Sequence, residues 1–459
     1  MSPTPLHRHQ RGAATLVVVM VLFFIISLVA AYTSRNMIFE QRTSSNQYRS
    51  SQALEAAEAG LEWAITMLNS GRIDTSCLAS ASPADTTFRQ RYLNVDASNG
   101  KILARTITPA PTPPALAELT PQCVFDPPSP GTPAWRCECP LNSPPTASTP
   151  AGTTVAPAFR VRFVRIESAS SAPPSQPGVI RADVVGCTRL DNECLNFSGQ
   201  GQTNEGRVVV SSLLGLTGTV ASMPLAAVTA RGAVSLAGGS LSVFNGAAGS
   251  LGITVQSGST IDPGVVVLTT AGTPASTSLI PSDPALNLLP AAPYSSKDRM
   301  FATVFSMFPD SFRQQQGGLQ LACGVSGCTP GSAGTPGDLR NLIAMNPGRP
   351  IWLSGGLNVD SAGDIGSASD PVLLVVNGNL QFSTSGVTIH GLVYVRPAAP
   401  ATDWVTTGSG QLSGAVVSEG GVSVGAGALS VAYSGPTLNL LRANSGTFVR
   451  VPSSWKDYQ

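Results

Sequence analysis

The chain has 459 residues, of which 42% are hydrophobic and 12% charged, and its formal net charge is +1. This length and apolar content suffice for two or three structural units and exclude disorder throughout the chain. The near-zero charge excludes an electrostatic field that would attract nucleic acid, so we expect no nucleic-acid partner. The 46 glycines and 37 prolines are typical of an exported, turn-rich β protein.

The N-terminal segment is basic at first and then apolar. Arg8 and Arg11 precede an uncharged apolar run of 20 residues from Ala13 to Tyr32. A helix over this run is roughly 30 Å long, which is the thickness of the hydrocarbon core of a bilayer. We therefore predict a transmembrane helix over residues 13–32. By the positive-inside rule, the basic end stays in the cytoplasm and the rest of the chain lies in the periplasm.

The helical pattern continues beyond the membrane exit, without proline or glycine, as far as Ala59. Charged residues replace the apolar ones there, but one apolar stripe persists at three- and four-residue steps. Its members are Leu54, Ala57, Leu61, Ile65 and Leu68. The stripe predicts that this half of the helix packs on a following domain. Gly71 predicts a helix end near Ser70, so the whole helix is expected over residues 13–70.

Two motifs in this helix resemble those of a known family. Arg11-Gly12 before Ala13-Ala14-Thr15 resembles the prepilin peptidase site of type IV pilins. The stretch from Ala53 to Glu62, Ala-Leu-Glu-Ala-Ala-Glu-Ala-Gly-Leu-Glu, is similar to the N-terminal region of PilX-type pilus assembly proteins. The resemblance implies that the prepilin peptidase removes a leader, residues 1–12, by cutting between Gly12 and Ala13. It also implies that the helix packs with other minor and major pilins.

Val17 departs from the pattern of the major pilins, which carry a glutamate at the fifth position after the cleavage site. In the family, that glutamate meets the N-terminal amine of a neighbouring subunit, so a carboxylate is tolerated in the bilayer by pairing. Val17 cannot make this contact. By similarity with pseudopilins that also lack the glutamate, the departure implies a tip or initiation component, although Val17 is equally explained as one more lipid-facing residue.

Residues 71–215 are expected to form a pilin-like head. The proline-dense region from Thr108 to Thr153 is predicted to be irregular and tied by disulfides. Three apolar runs after it predict a small antiparallel sheet packed on the helix stripe, over 159–166, 179–185 and 207–214. Arg160, Arg162 and Arg165 alternate along the first run, which is typical of a solvated outer strand face.

Eight cysteines predict disulfides in an oxidising compartment. Cys187 with Cys194 and Cys323 with Cys328 flank short loops and are expected to form local bridges. The other four, Cys77, Cys123, Cys137 and Cys139, allow three pairings. Zinc is disfavoured because Cys137-Glu-Cys139 lacks the two-residue gap of a zinc knuckle, and His390 is the only histidine after the leader. We expect no metal site.

Residues 216–459 are expected to form a β-rich C-terminal domain. Short apolar segments alternate with glycine, asparagine and serine over 233–268 and again over 372–424. Their spacing favours a stacked, solenoid-like sheet over a βαβ fold. A helical stripe between the two blocks is expected in the core, and it consists of Met300, Phe301, Val304, Phe305 and Phe308. The fold class is therefore α+β: a long helix on a small antiparallel sheet, then a β-rich domain.

Motifs of catalysis are weak in this chain. Ser423 lies in Gly421-Val-Ser-Val-Gly425, which matches the nucleophile elbow of serine hydrolases, but no histidine follows it. Asn358, Asp360 and Asp364 lack the terminal glutamate of a calcium loop. No phosphate-binding loop or dinucleotide fingerprint is present. We expect neither an enzyme nor a bound cofactor.

These observations favour a minor pilin of type IV pilus assembly, at the filament tip or in initiation. We expect a single-pass inner-membrane protein with a periplasmic head that later enters a pilus or pseudopilus. The alternatives are a tip pseudopilin of a type II secretion system, a membrane-tethered adhesin or binding protein, and an anchored hydrolase that rests on Ser423. The sequence does not identify a ligand of the head.

Overall fold

The structure is a computed structural model that combines a very long helix, an antiparallel sheet and a parallel β-solenoid. Two parts of the sequence-based expectations fall outside its described residues: the leader up to Gln10, and residues 108–118, 127–133, 147 and 151–153 of the proline-dense region. It describes residues 11–82, 84–96, 101–106, 119–126, 134–146, 148–150, 156–165, 178–197, 206–247, 252–269, 274–288, 296–315, 318–324, 327–331, 338–397 and 403–458.

Helix α1 spans Arg11–Leu68, 58 residues. It ends two residues before the expected Ser70, and Gly71 does not adopt the left-handed conformation of a capping glycine. Arg89 instead donates a hydrogen bond to the carbonyl of Leu68. A cation at this position also opposes the negative end of the helix dipole.

The head comprises residues 69–217 together with the last strands of the chain. Its seven-stranded antiparallel sheet has the order β26-β9-β8-β7-β5-β6, and β27 also pairs with β9. The sheet strands are β5 (Gln122–Phe125), β6 (Trp135–Glu138), β7 (Ala158–Val164), β8 (Val179–Cys187), β9 (Arg207–Thr217), β26 (Thr447–Arg450) and β27 (Lys456–Tyr458). The smaller elements of the head are β1 (Arg72–Ile73), β2 (Thr86–Thr87), α2 (Phe88–Tyr92), β3 (Leu93–Val95) and β4 (Ile102–Ala104).

The expected packing of the helix stripe on this sheet is present. Ala57, Leu61 and Leu68 are fully buried in one core cluster with side chains of β7, β8 and β9. Small residues permit a close approach of helix and sheet: a Cβ added to Gly186 would lie 2.2 Å from the Ala53 carbonyl oxygen. Residue size at this contact therefore sets the distance between the helix and the sheet.

The solenoid comprises residues 228–280 and 319–433, and all of its described strand pairs are parallel. One face is an eleven-stranded sheet, and two narrower sheets form the others. The strands are β10 (Val228–Ala230), β11 (Val234–Leu236), β12 (Ser240–Asn245), β13 (Val255–Ser257), β14 (Val266–Thr269), β15 (Leu279–Ile280), β16 (Leu319–Leu321), β17 (Ile351–Leu353), β18 (Leu357–Val359), β19 (Val372–Val376), β20 (Leu380–Phe382), β21 (Thr388–Val395), β22 (Trp404–Thr406), β23 (Gly410–Ser418), β24 (Val422–Val424) and β25 (Ala428–Tyr433).

The solenoid is built from two separate stretches of chain stacked on each other. Strand β10 of the first stretch pairs with β23 of the second, with Val228 opposite Val416. A single row of aliphatic side chains runs through both stretches, over roughly 34 Å at the usual strand spacing. Its members, in stacking order, are Leu319, Ile351, Leu374, Val393, Val416, Val228, Val255 and Leu279. The expected α+β class with a solenoid-like domain is confirmed.

Helices cover the outer face of the eleven-stranded sheet. Phe301 and Phe305 of one helix and Leu441 of another are buried against Trp352 and Tyr394. The helical stripe predicted from Met300 onward is thus in the core, although Phe308 begins a new helix after a break at Ser306. The helices outside the head are α3 (Pro284–Asn287), α4 (Ser296–Phe305), α5 (Pro309–Gln314), α6 (Leu339–Met345) and α7 (Gly435–Ser445), with a short 3₁₀ turn at Ala275–Thr277.

The solenoid is an insertion in the head and not a terminal domain. Thr217 at the end of β9 lies directly opposite Thr447 at the start of β26. The chain thus leaves the head sheet and returns to it at one point. The sequence-based boundary, which assigned all of 216–459 to the C-terminal domain, is wrong for 447–458, because these residues pair with β9.

The cysteines form four disulfides. Cys123 bonds Cys137 across the neighbouring strands β5 and β6, and Cys77 bonds Cys139. The local bridges Cys187 to Cys194 and Cys323 to Cys328 are also present. The expectation of an irregular proline-dense region is wrong for 122–125 and 135–138, which are paired strands.

The first prediction concerns the contact of helix and sheet. Gly186→Val should lower the free energy of unfolding by about 3 kcal/mol, because the added atoms overlap the backbone of α1 and an overpacked core costs that much. Gly71→Ala, whose Cβ meets nothing within 4 Å, is the matched control and should change stability by less than about 0.5 kcal/mol. Denaturant unfolding of the detergent-solubilised protein measures both; equal stability of the two variants would contradict the packing described here.

Candidate functional site

The candidate functional site is the uncovered half of α1. Every residue from Thr15 to Ser51 is exposed, and Ala53 is the first buried residue of the helix. This uncovered half projects roughly 60 Å from the head at the usual helical rise. Its most apolar window has a mean hydropathy of 2.8, and none of that window is buried. The chain thus has one described helix that is long and apolar enough to cross a membrane.

Exposed apolar side chains surround this half of the helix on all sides. Phe23 is 71% exposed, Phe24 67% and Ile26 63%. A contiguous apolar surface of this size is far larger than a soluble monomer carries on its own. Nothing in the described chain covers it, so its cover must come from lipid or from another protein.

The polar groups in this half suit an apolar environment. The hydroxyl of Thr33 donates to the carbonyl oxygens of Val29, at 2.9 Å, and Ala30, at 3.0 Å. Thr43 donates to the carbonyl oxygen of Phe39 at 2.9 Å. These bonds satisfy the hydroxyl donors within the helix itself. The first acidic residue of the chain is Glu40, so the apolar part of the helix carries no carboxylate that would need a partner in lipid.

The residues of the implied cleavage site lie at the start of this helix. Gly12 and Ala13 are in the first turn of α1. Val17, at the position of the pilin glutamate, is 59% exposed and belongs to the apolar surface. A valine here can pack against lipid or an apolar helix, but it cannot form an ion pair with a neighbouring subunit.

The residues considered for catalysis and metal binding do not form a site. Ser423 lies in the middle of β24, which pairs on both sides with β11 and β22, so it is not on a turn from a strand to a helix. His390 lies 3.7 Å from a carboxylate oxygen of Asp364. Asn358 accepts a hydrogen bond from Ser383. Within the described ranges, no three histidine, cysteine or acidic side chains are grouped as metal ligands would be.

The basic residues on the outer face of the sheet are paired and do not form a free cationic patch. Arg162 and Arg181 both contact the buried carboxylate of Asp183, at 2.9 Å and 2.8 Å. Hydrogen bonds from Ser211, Arg181 and Arg162 outweigh burial and hold the pKa of Asp183 below its ordinary value. Arg160 donates to Gln122. Alternation along β7 predicted the face correctly, but it could not reveal these partners.

A junction that sequence reasoning missed fixes the base of the helix to the solenoid. Besides Leu68, Arg89 donates to Asn69 Oδ1 and to the carbonyl of Asn444 at the end of α7, both at 2.9 Å. Asn69 in turn exchanges two hydrogen bonds with the backbone of Phe448. One guanidinium therefore opposes the negative ends of two helices, α1 and α7. No local sequence pattern signals it, because its partners are up to 355 positions away.

A helix that is apolar all round at one end and docked on an antiparallel sheet at the other defines a pilin-like protein. Residues 11–62 match the model of the PilX N-terminal family. In this N-terminal segment the chain is therefore type IV pilin-like, and the match does not extend into the head or the solenoid.

Comparison with solved structures finds the competence-associated pilin ComZ from Thermus thermophilus. The identity is 11% over 89% of this chain and 97% of that chain, with a TM-score of 0.26. None of the curated proteins matches the chain.

The second prediction tests what the uncovered half does in cells. Asp at Val21, Phe24 and Leu28 together should abolish stable membrane association. Each central carboxylate costs about 3 kcal/mol, and the sum exceeds the gain from the apolar residues, on the order of 5 kcal/mol. Asp at Ser44, Ser45 and Ser51 adds the same charge beyond the apolar run and should leave association intact. The share of protein that sediments with carbonate-washed membranes is measured; retention of the first variant would contradict the prediction.

Proposed function

We propose that this chain is a minor pilin that works by assembly and not by catalysis. The observation that carries the proposal is the division of α1: residues up to Gln52 are uncovered or nearly so, and residues from Ala53 onward are bound to the head. The PilX-type match covers this same division. A helix that is apolar on all sides is stable in lipid and equally stable among like helices.

Transfer of the subunit from the bilayer into a filament then needs no refolding. The head packs only on the second half of the helix, so the first half is free to exchange lipid for neighbouring helices. Other minor and major pilins are the proposed partners in that exchange. The proposed location is the inner membrane, with the head in the periplasm, followed by the pilus or pseudopilus.

The tip or initiation position is supported by two features. Val17 lacks the carboxylate that would pair with a neighbour along a shaft. The solenoid adds 115 residues in its second stretch alone, over 319–433, and this bulk disfavours dense repetition along a filament. A subunit present in one or a few copies at an end is free of both constraints.

The third prediction follows from the proposed leader. The prepilin peptidase should remove residues 1–12, and intact mass of the purified protein should fall by that leader only in cells that contain the peptidase. Gly12→Val should block the loss, because the glycine precedes the proposed cleaved bond, and Ala14→Ser is the matched control that should still be processed.

An intact leader in both strains would contradict the pilin proposal. The chain would then be a membrane-tethered protein whose head acts as a binding domain. Processing with no incorporation into a type IV pilus would instead favour the tip of a type II secretion pseudopilus.

A further inference from the structure

A cavity of about 290 Å³ lies between the head and the solenoid, where α1 ends. Its head side includes Ser70 and Arg89, and its solenoid side includes Gln315, Arg349, Asp370 and Ser445. This volume is at the lower end of the range for small-molecule sites. The cavity does not belong to the assembly surface, because the uncovered half of α1 contributes nothing to its lining.

Three side chains from separate parts of the chain present unpaired polar atoms at this cavity. Gln315 Nε2, Asp370 Oδ1 and Ser445 Oγ are buried and have no hydrogen-bond partner in the described part of the protein. Ser445 is 94% buried, since its exposure is 6%. Buried polar groups are normally paired, so three unpaired ones around one cavity point to a polar occupant. Together they offer a donor, an acceptor and a hydroxyl that can act as either.

The charges around the cavity favour an anion. Arg349 lines it with no hydrogen bond or ion pair from its guanidinium to any described residue, and it is close enough to Arg89 to add to the effect of burial, which lowers the pKa of Arg89 to about 10. Burial raises the pKa of Asp370 to about 6, against a smaller opposite effect of Arg72. The carboxyl therefore lacks a close cation, and two guanidiniums face one weakly acidic group.

We propose that this cavity binds a small anion that also carries hydroxyl groups, of the sugar-acid class. Its carboxylate pairs with Arg349, with Arg89 nearby. A ligand hydroxyl donates to Asp370 Oδ1, a second accepts from Gln315 Nε2, and Ser445 Oγ bonds to either. Such a ligand satisfies all three unpaired atoms. Inorganic phosphate would satisfy the guanidiniums, but its charge would oppose the Asp370 carboxylate.

A ligand in this place would bridge the head and the solenoid. The two units otherwise meet through the β9 to β26 turn and the Arg89 junction. Occupation of the cavity would therefore restrain the solenoid relative to the helix, in addition to the recognition of the ligand itself.

Isothermal titration of the purified, detergent-solubilised full chain tests this proposal directly. Sodium D-glucuronate is the probe, with D-glucose and inorganic phosphate for comparison. We expect saturable glucuronate binding with a Kd below about 1 mM, within reach of a ligand of this size. Glucose lacks the carboxylate and phosphate lacks the hydroxyl pattern, so each should bind at least tenfold more weakly.

Variants then locate the site. Arg349→Met and Ser445→Ala should each weaken glucuronate binding at least tenfold. Arg442→Met, at an exposed position of α7 outside the cavity lining, is the matched control and should leave Kd unchanged. The Arg349 side chain has no partner to lose, so its variant is expected to fold normally, and near-UV circular dichroism checks this.

Three results would overturn the proposal: no glucuronate binding by the wild-type chain, equal binding of phosphate, or full binding by the folded Arg349→Met variant. The first would leave the cavity to water alone. Because the titration uses purified protein, its failure is separate from any failure of filament assembly.

Discussion

The apolar surface of α1 is the constraint on which the rest of the structure depends. A helix that exposes phenylalanine, isoleucine and valine on every side for five turns cannot remain uncovered in water. Its second half meets that constraint within the chain, by packing on the head sheet. The first half has no such cover in the described protein, and this difference divides the molecule into a part that is complete and a part that needs lipid or partner helices.

The contact of the second half depends on small residues. Gly186 on β8 and the alanines of α1 bring sheet and helix backbones together, and Gly60 likewise faces Phe159 and Val184, each 2.7 Å from where its Cβ would be. Close packing of this kind transmits the position of the helix to the sheet. The sheet in turn carries the solenoid, since both connections leave from adjacent ends of β9 and β26. The Arg89 junction adds a polar contact between the same units.

Much of this fold follows from local sequence patterns. The apolar run before Tyr32, the stripe from Leu54 to Leu68 and the alternation in β7 each predict their element, because helix and strand periods are local properties. The stacking of β10 on β23 could not be predicted, since it joins stretches 188 residues apart and depends on their common register. The return of 447–458 to the head is non-local for the same reason.

The candidate site divides in the same way. The uncovered helix could be identified from composition alone, and the PilX-like motif lies inside it. The junction cavity could not, because Gln315, Asp370 and Ser445 are ordinary polar residues until the fold brings them together. Spacing also left three pairings open for the four cysteines of the head, and only the register of β5 and β6 brings Cys123 opposite Cys137.

The central claim is that neighbouring pilin helices cover the uncovered half of α1 after assembly. Photo-crosslinking in piliated cells tests it most directly, with a photoreactive phenylalanine analogue at Phe24 and, as the control, at Leu288, which is 76% exposed on α3. The account predicts adducts with other pilins from position 24 in sheared filaments and none from position 288. Adducts from position 24 with lipid alone, in cells that assemble pili containing this chain, would contradict it.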